Sequence, residues 1–77
     1  MTAKDLVIGQ SALVNALSDD ALGRHLVEMG VVPGEFITVE RIAPLGDPIA
    51  VRVSGLLLCI RRKEAASIQV QSNVPAH

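Results

Sequence analysis

The sequence predicts a mainly β domain, a small barrel of about five strands with one α-helix between the first and second strands. Its 77 residues suffice for one small domain with a single modest core. Of these residues 49% are apolar and Phe36 is the only aromatic one, so the core must consist of small aliphatic side chains, which suit a tightly curved sheet. Short β-branched segments alternate with tight turns, and a closed or partly open barrel of such strands exposes few sheet edges.

The first strand and the helix are predicted between residues 11 and 30. The segment "SALVNAL" is expected to form the strand, and Ser18 is a candidate helix N-cap because its hydroxyl can accept a bond from a free backbone N–H. Apolar residues then recur at i, i+4 and i+7, which predicts a helix of about three turns that ends at Gly30. These apolar residues are Leu22, Leu26 and Met29.

A turn and two further strands follow the helix. Pro33 and Gly34 are placed as the central residues of a type II turn. In "EFITVERI" the alternation predicts a strand with Ile37 and Val39 facing the core, which leaves Phe36 near the surface. In "PIAVRV" the alternation is cleaner, and its core-facing residues are predicted to be Ile49, Val51 and Val53.

The remaining elements complete the predicted barrel. Ser54 and Gly55 form a two-residue hairpin signal before the strand "LLLCIRR". A single turn over residues 63–66 then leads to a short closing strand. The chain is therefore expected to be one domain over residues 1–77, with a core from about 6 to 71 and a frayed tail over 72–77.

Composition excludes several classes of function. Seven basic residues oppose eight acidic ones without a long basic run, which argues against a nucleic-acid partner. One cysteine permits no intrachain disulfide, and no stretch reaches the roughly 18 apolar residues of a membrane span, so we expect a cytoplasmic protein without direct membrane insertion. The high apolar fraction for so small a domain indicates that a partner covers some apolar surface.

No pattern of catalytic or cofactor-binding residues is present in the sequence. The serines lack a G-x-S-x-G elbow, and no glycine spacing matches a nucleotide-binding loop, so neither catalysis nor a cofactor is expected. His25 and Glu28 stand three apart on the helix and could bind a divalent metal, although no third ligand is evident and a solvated helix face is the alternative. Cys59 is expected to be a small buried apolar residue, with a metal ligand or redox thiol as the alternative.

Two other segments are candidates for contact with a partner. At least one of the leucines in "GLLLC" must face away from the core, because side chains alternate along a strand. This leucine and Phe36 are predicted to form an apolar surface patch. The alternative is that the N-terminal segment covers the leucine. Of Arg61 and Arg62, one is expected to brace a turn by reaching the carboxylate of Glu64 or Asp47, or else to bind a partner.

The loop "APLGDP" raises the question of an anion site, which its sequence excludes. Asp47 places negative charge where an anion would lie, and no helix N-terminus follows. The loop is instead expected to be a tight connection between strands, in which Gly46 permits a left-handed backbone, Asp47 bonds neighbouring amides and Pro48 begins the next strand.

Three motifs occur in order along the chain: "MGVVPG" at 29–34, "APLGDP" at 43–48 and "RRKEA" at 61–65. With these motifs the chain, from about residue 6 to residue 70, resembles the FeoA family, the small cytosolic component of bacterial ferrous iron transport. The resemblance implies an SH3-like barrel and a non-enzymatic accessory to FeoB, a membrane permease with a cytosolic GTP-binding domain. Similar barrels form the C-terminal domain of iron-dependent repressors.

The leading hypothesis is a cytosolic binding module that contacts FeoB, which would recruit it to the inner face of the membrane. The contact residues are expected at the hairpin and beside it, namely Phe36, Arg52, Leu56 and Leu57. One alternative is a metal-responsive domain, related to the repressor barrel, that uses His25, Glu28 and the C-terminal His77. The other is a self-associating module whose apolar hairpin forms a homo-oligomer.

Overall fold

The computed structural model describes residues 1–72. The elements are β1 (Ser11–Leu17), α1 (Ala21–Glu28), β2 (Phe36–Ile42), β3 (Ile49–Val53), β4 (Leu56–Ile60), α2 (Arg62–Ala65) and β5 (Ile68–Ser72). The five strands form one antiparallel sheet in the order β4-β3-β2-β1-β5, and α1 lies between the first two strands of the chain. The mainly β class, the five strands and the position of the helix are therefore confirmed.

The core is entirely aliphatic, and every strand contributes to it. Ile37 and Val39 of β2 are buried as the alternation predicts, and so are the three predicted residues of β3. Leu26 of α1 is completely buried and joins the same cluster, so the helix covers part of the core that the sheet leaves open. No polar side chain is buried in residues 1–71, so the core is stabilised by the packing of Val, Ile, Leu and Ala.

Two irregularities in the sheet interrupt the alternation. The pairing of β1 with β5 shifts at Asn15, and that of β2 with β3 shifts at Glu40. At each shift one residue has no partner on the neighbouring strand. Two consecutive side chains are therefore exposed, Asn15 and Ala16 in β1 and Glu40 and Arg41 in β2. Bulges of this kind strengthen local twist and bend the strand, as a small barrel requires.

The start of α1 differs from the prediction. Asp20, not Ser18, is the N-cap: its carboxylate accepts a 2.9 Å hydrogen bond from the Gly23 N–H. The Ser18 hydroxyl instead donates to Asp20 Oδ1 at 2.7 Å. Because the cap lies two residues later, α1 has eight residues and is shorter than three turns, although the chain still turns at Gly30 with a φ of +106°.

The first residues of the chain cover one edge of the sheet. Thr2 forms a β-bridge with Gln69, and the Val70 N–H donates to the Met1 carbonyl at 3.0 Å. Ala3 lies in a one-turn 3₁₀ helix and is buried in the core. The outer edge of β5 is therefore covered at Gln69 and Val70. At the other end of the chain, the predicted frayed tail begins at Ser72, which lies in β5, and its residues 73–77 lie outside the described part.

The predicted turns take the expected forms. At Pro33 and Gly34 the Glu35 N–H donates to the Val32 carbonyl at 3.2 Å, and Gly34 has a φ of +97°. Ser54 and Gly55 both have positive φ, 54° and 79°, which defines a type I′ hairpin turn.

Candidate protein-binding surface

The side of the sheet that faces away from the core, called the outer face here, carries two large exposed apolar residues at its β2–β4 end. Phe36 is 52% exposed and Leu57 is 54% exposed. The pairing register places Leu57 opposite Arg52 and Arg52 opposite Thr38, so Phe36, Arg52 and Leu57 lie on three adjacent strands. Neighbouring strands are about 4.8 Å apart, which puts Phe36 and Leu57 within reach of one partner surface.

Polar groups surround these apolar residues and are satisfied within the domain. Arg52 Nε lies 3.3 Å from Glu40 Oε2, in the one ion pair of the described chain. The Ser54 hydroxyl donates to Glu35 Oε1 at 2.8 Å beside Phe36. Apolar residues with a rim of polar groups are the usual composition of a protein interface, and the outer face has this composition.

The fourth predicted contact residue lies elsewhere. Leu56 is 55% exposed, but it pairs with Val53 and therefore lies on the core-facing side of β4, at its open edge. The structure thus groups Phe36, Arg52 and Leu57 and separates Leu56 from them. The alternative, that the N-terminal segment covers the outward leucine, is wrong, because that segment pairs with β5 at the opposite edge of the sheet.

Cys59 follows Leu57 on the outer face and is exposed. The expectation of a buried thiol is therefore wrong. The cause is the register: Cys59 pairs with Ala50, which faces outward between the buried Ile49 and Val51.

A groove beside α1 was not predicted from the sequence. It has a volume of about 440 Å³, and its apolar wall is formed by Leu17, Val27 and Pro33. These residues lie far apart in the sequence, and the groove arises only because α1 packs across the end of β1. Charged residues, among them Arg24 and Glu28, also line it.

The proposed metal ligands His25 and Glu28 are both exposed on α1. Among residues 1–72 no three His, Cys, Asp or Glu side chains lie close enough to hold one metal ion. His77, the third residue of the hypothesis, lies outside the described residues. The structure therefore adds no further ligand to this pair.

The loop at 43–48 is anchored to the start of α2. Gly46 has a φ of +88° and its N–H donates to the Ala43 carbonyl at 2.7 Å, and the peptide bond that precedes Pro48 is cis. Asp47 Oδ1 accepts a 2.9 Å hydrogen bond from the backbone N–H of Arg62. The loop therefore connects strands, as expected, and its aspartate bonds an amide fifteen residues away.

The first of the two alternatives for Arg61 and Arg62, that one of their side chains braces a turn, is wrong in the donor group that it names. Asp47 and Glu64 are the carboxylates involved, as expected, but they accept bonds from backbone N–H groups, not from a guanidinium. Glu64 Oε1 accepts from the Arg61 N–H at 2.6 Å. The side chains of Arg61 and Arg62 are exposed.

Comparison with known proteins relates the whole described chain to one family. Residues 1–72 match the family model of the FeoA domain. The chain is 36% identical over 62 residues to an Fe(2+) transport protein A/Fe(2+) transporter FeoB fusion protein of Porphyromonas gingivalis. The match covers 80% of this chain and 7% of that protein, so the chain spans a small part of this relative.

Solved structures have the same fold. The FeoA protein from Chlorobium tepidum is 40% identical with a TM-score of 0.87, over 96% of this chain and 71% of that one. Stenotrophomonas maltophilia FeoA, a prokaryotic SH3 domain protein crystallised with zinc, is 32% identical with a TM-score of 0.81, over 92% of this chain and 89% of that one. IdeR of T. acidophilum is 23% identical over 95% of this chain and 34% of its own, and its TM-score of 0.80 shows a shared fold alone.

No helix within residues 1–72 has the length and apolar character that crossing a bilayer requires.

Proposed function

The chain belongs to the FeoA family of ferrous iron transport, and from this we propose that it is a non-enzymatic accessory protein that binds the cytosolic part of a FeoB transporter. The observation that supports the proposal is the Porphyromonas gingivalis relative, in which the two proteins are one chain. A covalent linkage keeps two modules at high effective concentration. Where they are separate chains, a non-covalent interface has to supply the same association.

The outer face is the proposed interface. Phe36 is the only aromatic residue of the chain, and it lies half exposed on the sheet instead of in the core. Leaving half of such a side chain in water forgoes about 1 kcal/mol of folding free energy. Aromatic residues and arginine are enriched at interfaces, and Phe36 lies two residues along β2 from Thr38, the strand partner of Arg52.

Titration calorimetry of the full chain against the cytosolic part of FeoB tests this proposal. The titration is done without nucleotide, with GDP and with a non-hydrolysable GTP analogue. We expect saturable binding in at least one state and a loss of at least tenfold, about 1.4 kcal/mol, in Phe36→Lys. Val7→Lys is the matched control, because Val7 is a 64% exposed apolar residue in the N-terminal segment. Absence of binding in all three states would overturn the proposal.

The Stenotrophomonas maltophilia relative crystallised with zinc favours metal binding as a second candidate function. His25 and Glu28 are the residues of this chain to test. Calorimetry with Fe(II), Mn(II) and Zn(II) should then show binding that His25→Ala weakens, and equal binding by that variant removes the proposed site.

A further inference from the structure

β4 has an unpaired edge in the described sheet. Its residues Leu56–Ile60 pair with β3 on one side, and no strand pairs with the other side. At the opposite end of the sheet, β5 has its edge covered by Met1 and Thr2. An uncovered edge presents backbone donors and acceptors to any strand that approaches it.

The hairpin identifies the backbone groups on this edge. A two-residue turn makes Val53 and Leu56 the closing hydrogen-bonded pair, and hydrogen-bonded pairs then recur at every second residue of an antiparallel ladder. Leu56, Leu58 and Ile60 therefore direct their N–H and C=O groups to β3. The N–H and C=O groups of Leu57 and Cys59, two donors and two acceptors, point to the free edge.

The side chains of β4 do not prevent another strand from pairing with this edge. Within Leu56–Ile60 there is no charged residue and no proline, the two devices that usually prevent edge pairing. Leu57 and Cys59 are exposed on the outer face, and Leu56 is exposed on the other face. Apolar surface therefore flanks the free backbone groups on both faces of the strand.

We propose that two copies of this chain associate by antiparallel pairing of their β4 edges, symmetric about Leu58, so that the two sheets become one. In this register Leu57 lies opposite Cys59 of the second copy, and Cys59 lies opposite its Leu57. All four free groups of each strand then bond to free groups of the other. Leu58 lies opposite its own counterpart.

The strand is self-complementary in this register. Leu56 lies opposite Ile60 of the second copy, so apolar residues meet on the core-facing side as well. Arg61 lies opposite Gly55 of the second copy, which has neither charge nor side chain, so the paired strands place no like charges opposite each other. In a register centred on Leu57, Cys59 lies opposite Gly55 of the second copy, and in one centred on Cys59, Leu57 lies opposite Arg61. Neither Gly55 nor Arg61 belongs to the free edge. A closed two-fold dimer also removes the exposed edge from both copies.

Disulfide crosslinking of the full chain tests the register. In a hydrogen-bonded pair the Cα atoms are about 5.5 Å apart, within the roughly 4.4–6.8 Å that a disulfide spans. Leu57→Cys should therefore form a covalent dimer with the native Cys59 of the second copy under mild oxidation. Wild type and Leu57→Cys/Cys59→Ser should remain uncrosslinked, because neither places two cysteines opposite each other. A crosslink in either of these two proteins overturns the proposed register.

Sedimentation equilibrium tests the association itself, independently of any binding to FeoB. Wild type should show a reversible dimer. Cys59→Pro removes one N–H donor from the edge, and Leu57→Lys adds a charge to it. Each variant should weaken the dimer at least tenfold. Phe36→Lys is the matched control, because Phe36 is about as exposed as Leu57 but lies on β2 and not on β4. This variant should leave the dimer intact. A monomer at all concentrations up to high micromolar, or equal weakening by Phe36→Lys, overturns the proposal.

Discussion

At the scale of single residues, Gly23 sets how closely α1 approaches the end of β1. A Cβ atom on this residue would lie 1.8 Å from the carbonyl oxygen of Ser18. The colliding group is backbone and cannot rotate away, so Gly23→Ala has to displace the helix. We expect the free energy of unfolding in urea to fall by about 2 kcal/mol or more.

The control for this prediction is Arg24→Ala at the next position, whose side chain is exposed. Alanine is at least as good a helix former as arginine, so this variant should unfold at nearly the wild-type urea concentration. Equal stability of the Gly23 and Arg24 variants would show that the helix does not approach β1 this closely.

Asp20 makes the stability of α1 sensitive to acid. The hydrogen bond from the Gly23 N–H, assisted by that from the Ser18 hydroxyl, lowers the pKa of Asp20 below its ordinary value of 3.8. A carboxyl group whose pKa is lower in the folded state stabilises that state above its unfolded pKa, and this contribution is lost as the pH falls through the folded value. The free energy of unfolding should therefore decrease below pH 3.8, and the loss should be smaller in Asp20→Asn, whose amide oxygen still accepts the cap bond without titrating.

Asp19→Asn is the control for Asp20, because it removes an adjacent exposed carboxylate that does not cap the helix. Part of the acid sensitivity should survive in Asp20→Asn, since the Thr2 N–H lowers the pKa of Asp5 in the same way. Identical pH profiles for wild type and Asp20→Asn would contradict the assignment of the cap.

At the scale of the elements, the β3–β4 hairpin depends on its type I′ turn. Gly55 has a φ of +79°, and a Cβ there would meet no atom within 4 Å, so only the backbone conformation opposes substitution. Gly55→Ala should lower the free energy of unfolding by about 1 kcal/mol. Gly55→Asn should cost less, because asparagine tolerates the left-handed region. Thermal unfolding of both variants tests the turn, and an equal loss in both would contradict this explanation.

A side-chain hydrogen bond joins the loop at 43–48 to α2. Asp47→Ala removes the acceptor for the Arg62 N–H and should lower the free energy of unfolding by about 1 kcal/mol. Asp47→Asn keeps an oxygen acceptor and should stay close to wild type in urea unfolding. If both variants lose equal stability, the charge of Asp47 matters and the proposed hydrogen bond is not the cause.

The same elements show what alternation in the sequence can predict. It identifies β2 and β3, with Ile37 and Ile49 inside and Phe36 outside, because a side chain on a strand has only two faces to occupy. It cannot predict the bulges at Asn15 and Glu40, which depend on how one strand pairs with another. The misplaced helix cap has a local cause, because Ser18, Asp19 and Asp20 are adjacent and all are favourable N-caps.

At the scale of the whole molecule, the barrel could be predicted and the surface only in part. Aliphatic composition, regular turns and one amphipathic helix are local properties, and together they indicate this fold. Leu56 and Leu57 are consecutive on a strand and face opposite sides in any register, and the register decides that Leu57 is the one that shares the outer face with Phe36. The groove beside α1 and the free edge of β4 arise from tertiary packing, and no local signal in the sequence marks them.

Nuclear magnetic resonance on the ¹⁵N-labelled full chain can map which residues contact FeoB. The unlabelled cytosolic part of FeoB is added in the nucleotide state that binds. We predict that amide shifts and line broadening concentrate at Phe36, Arg52 and Leu57 and at the residues beside them on the outer face, and that Val27 in the α1 groove changes little. Perturbations confined to the α1 groove, or none at all, would contradict binding of FeoB through the outer face.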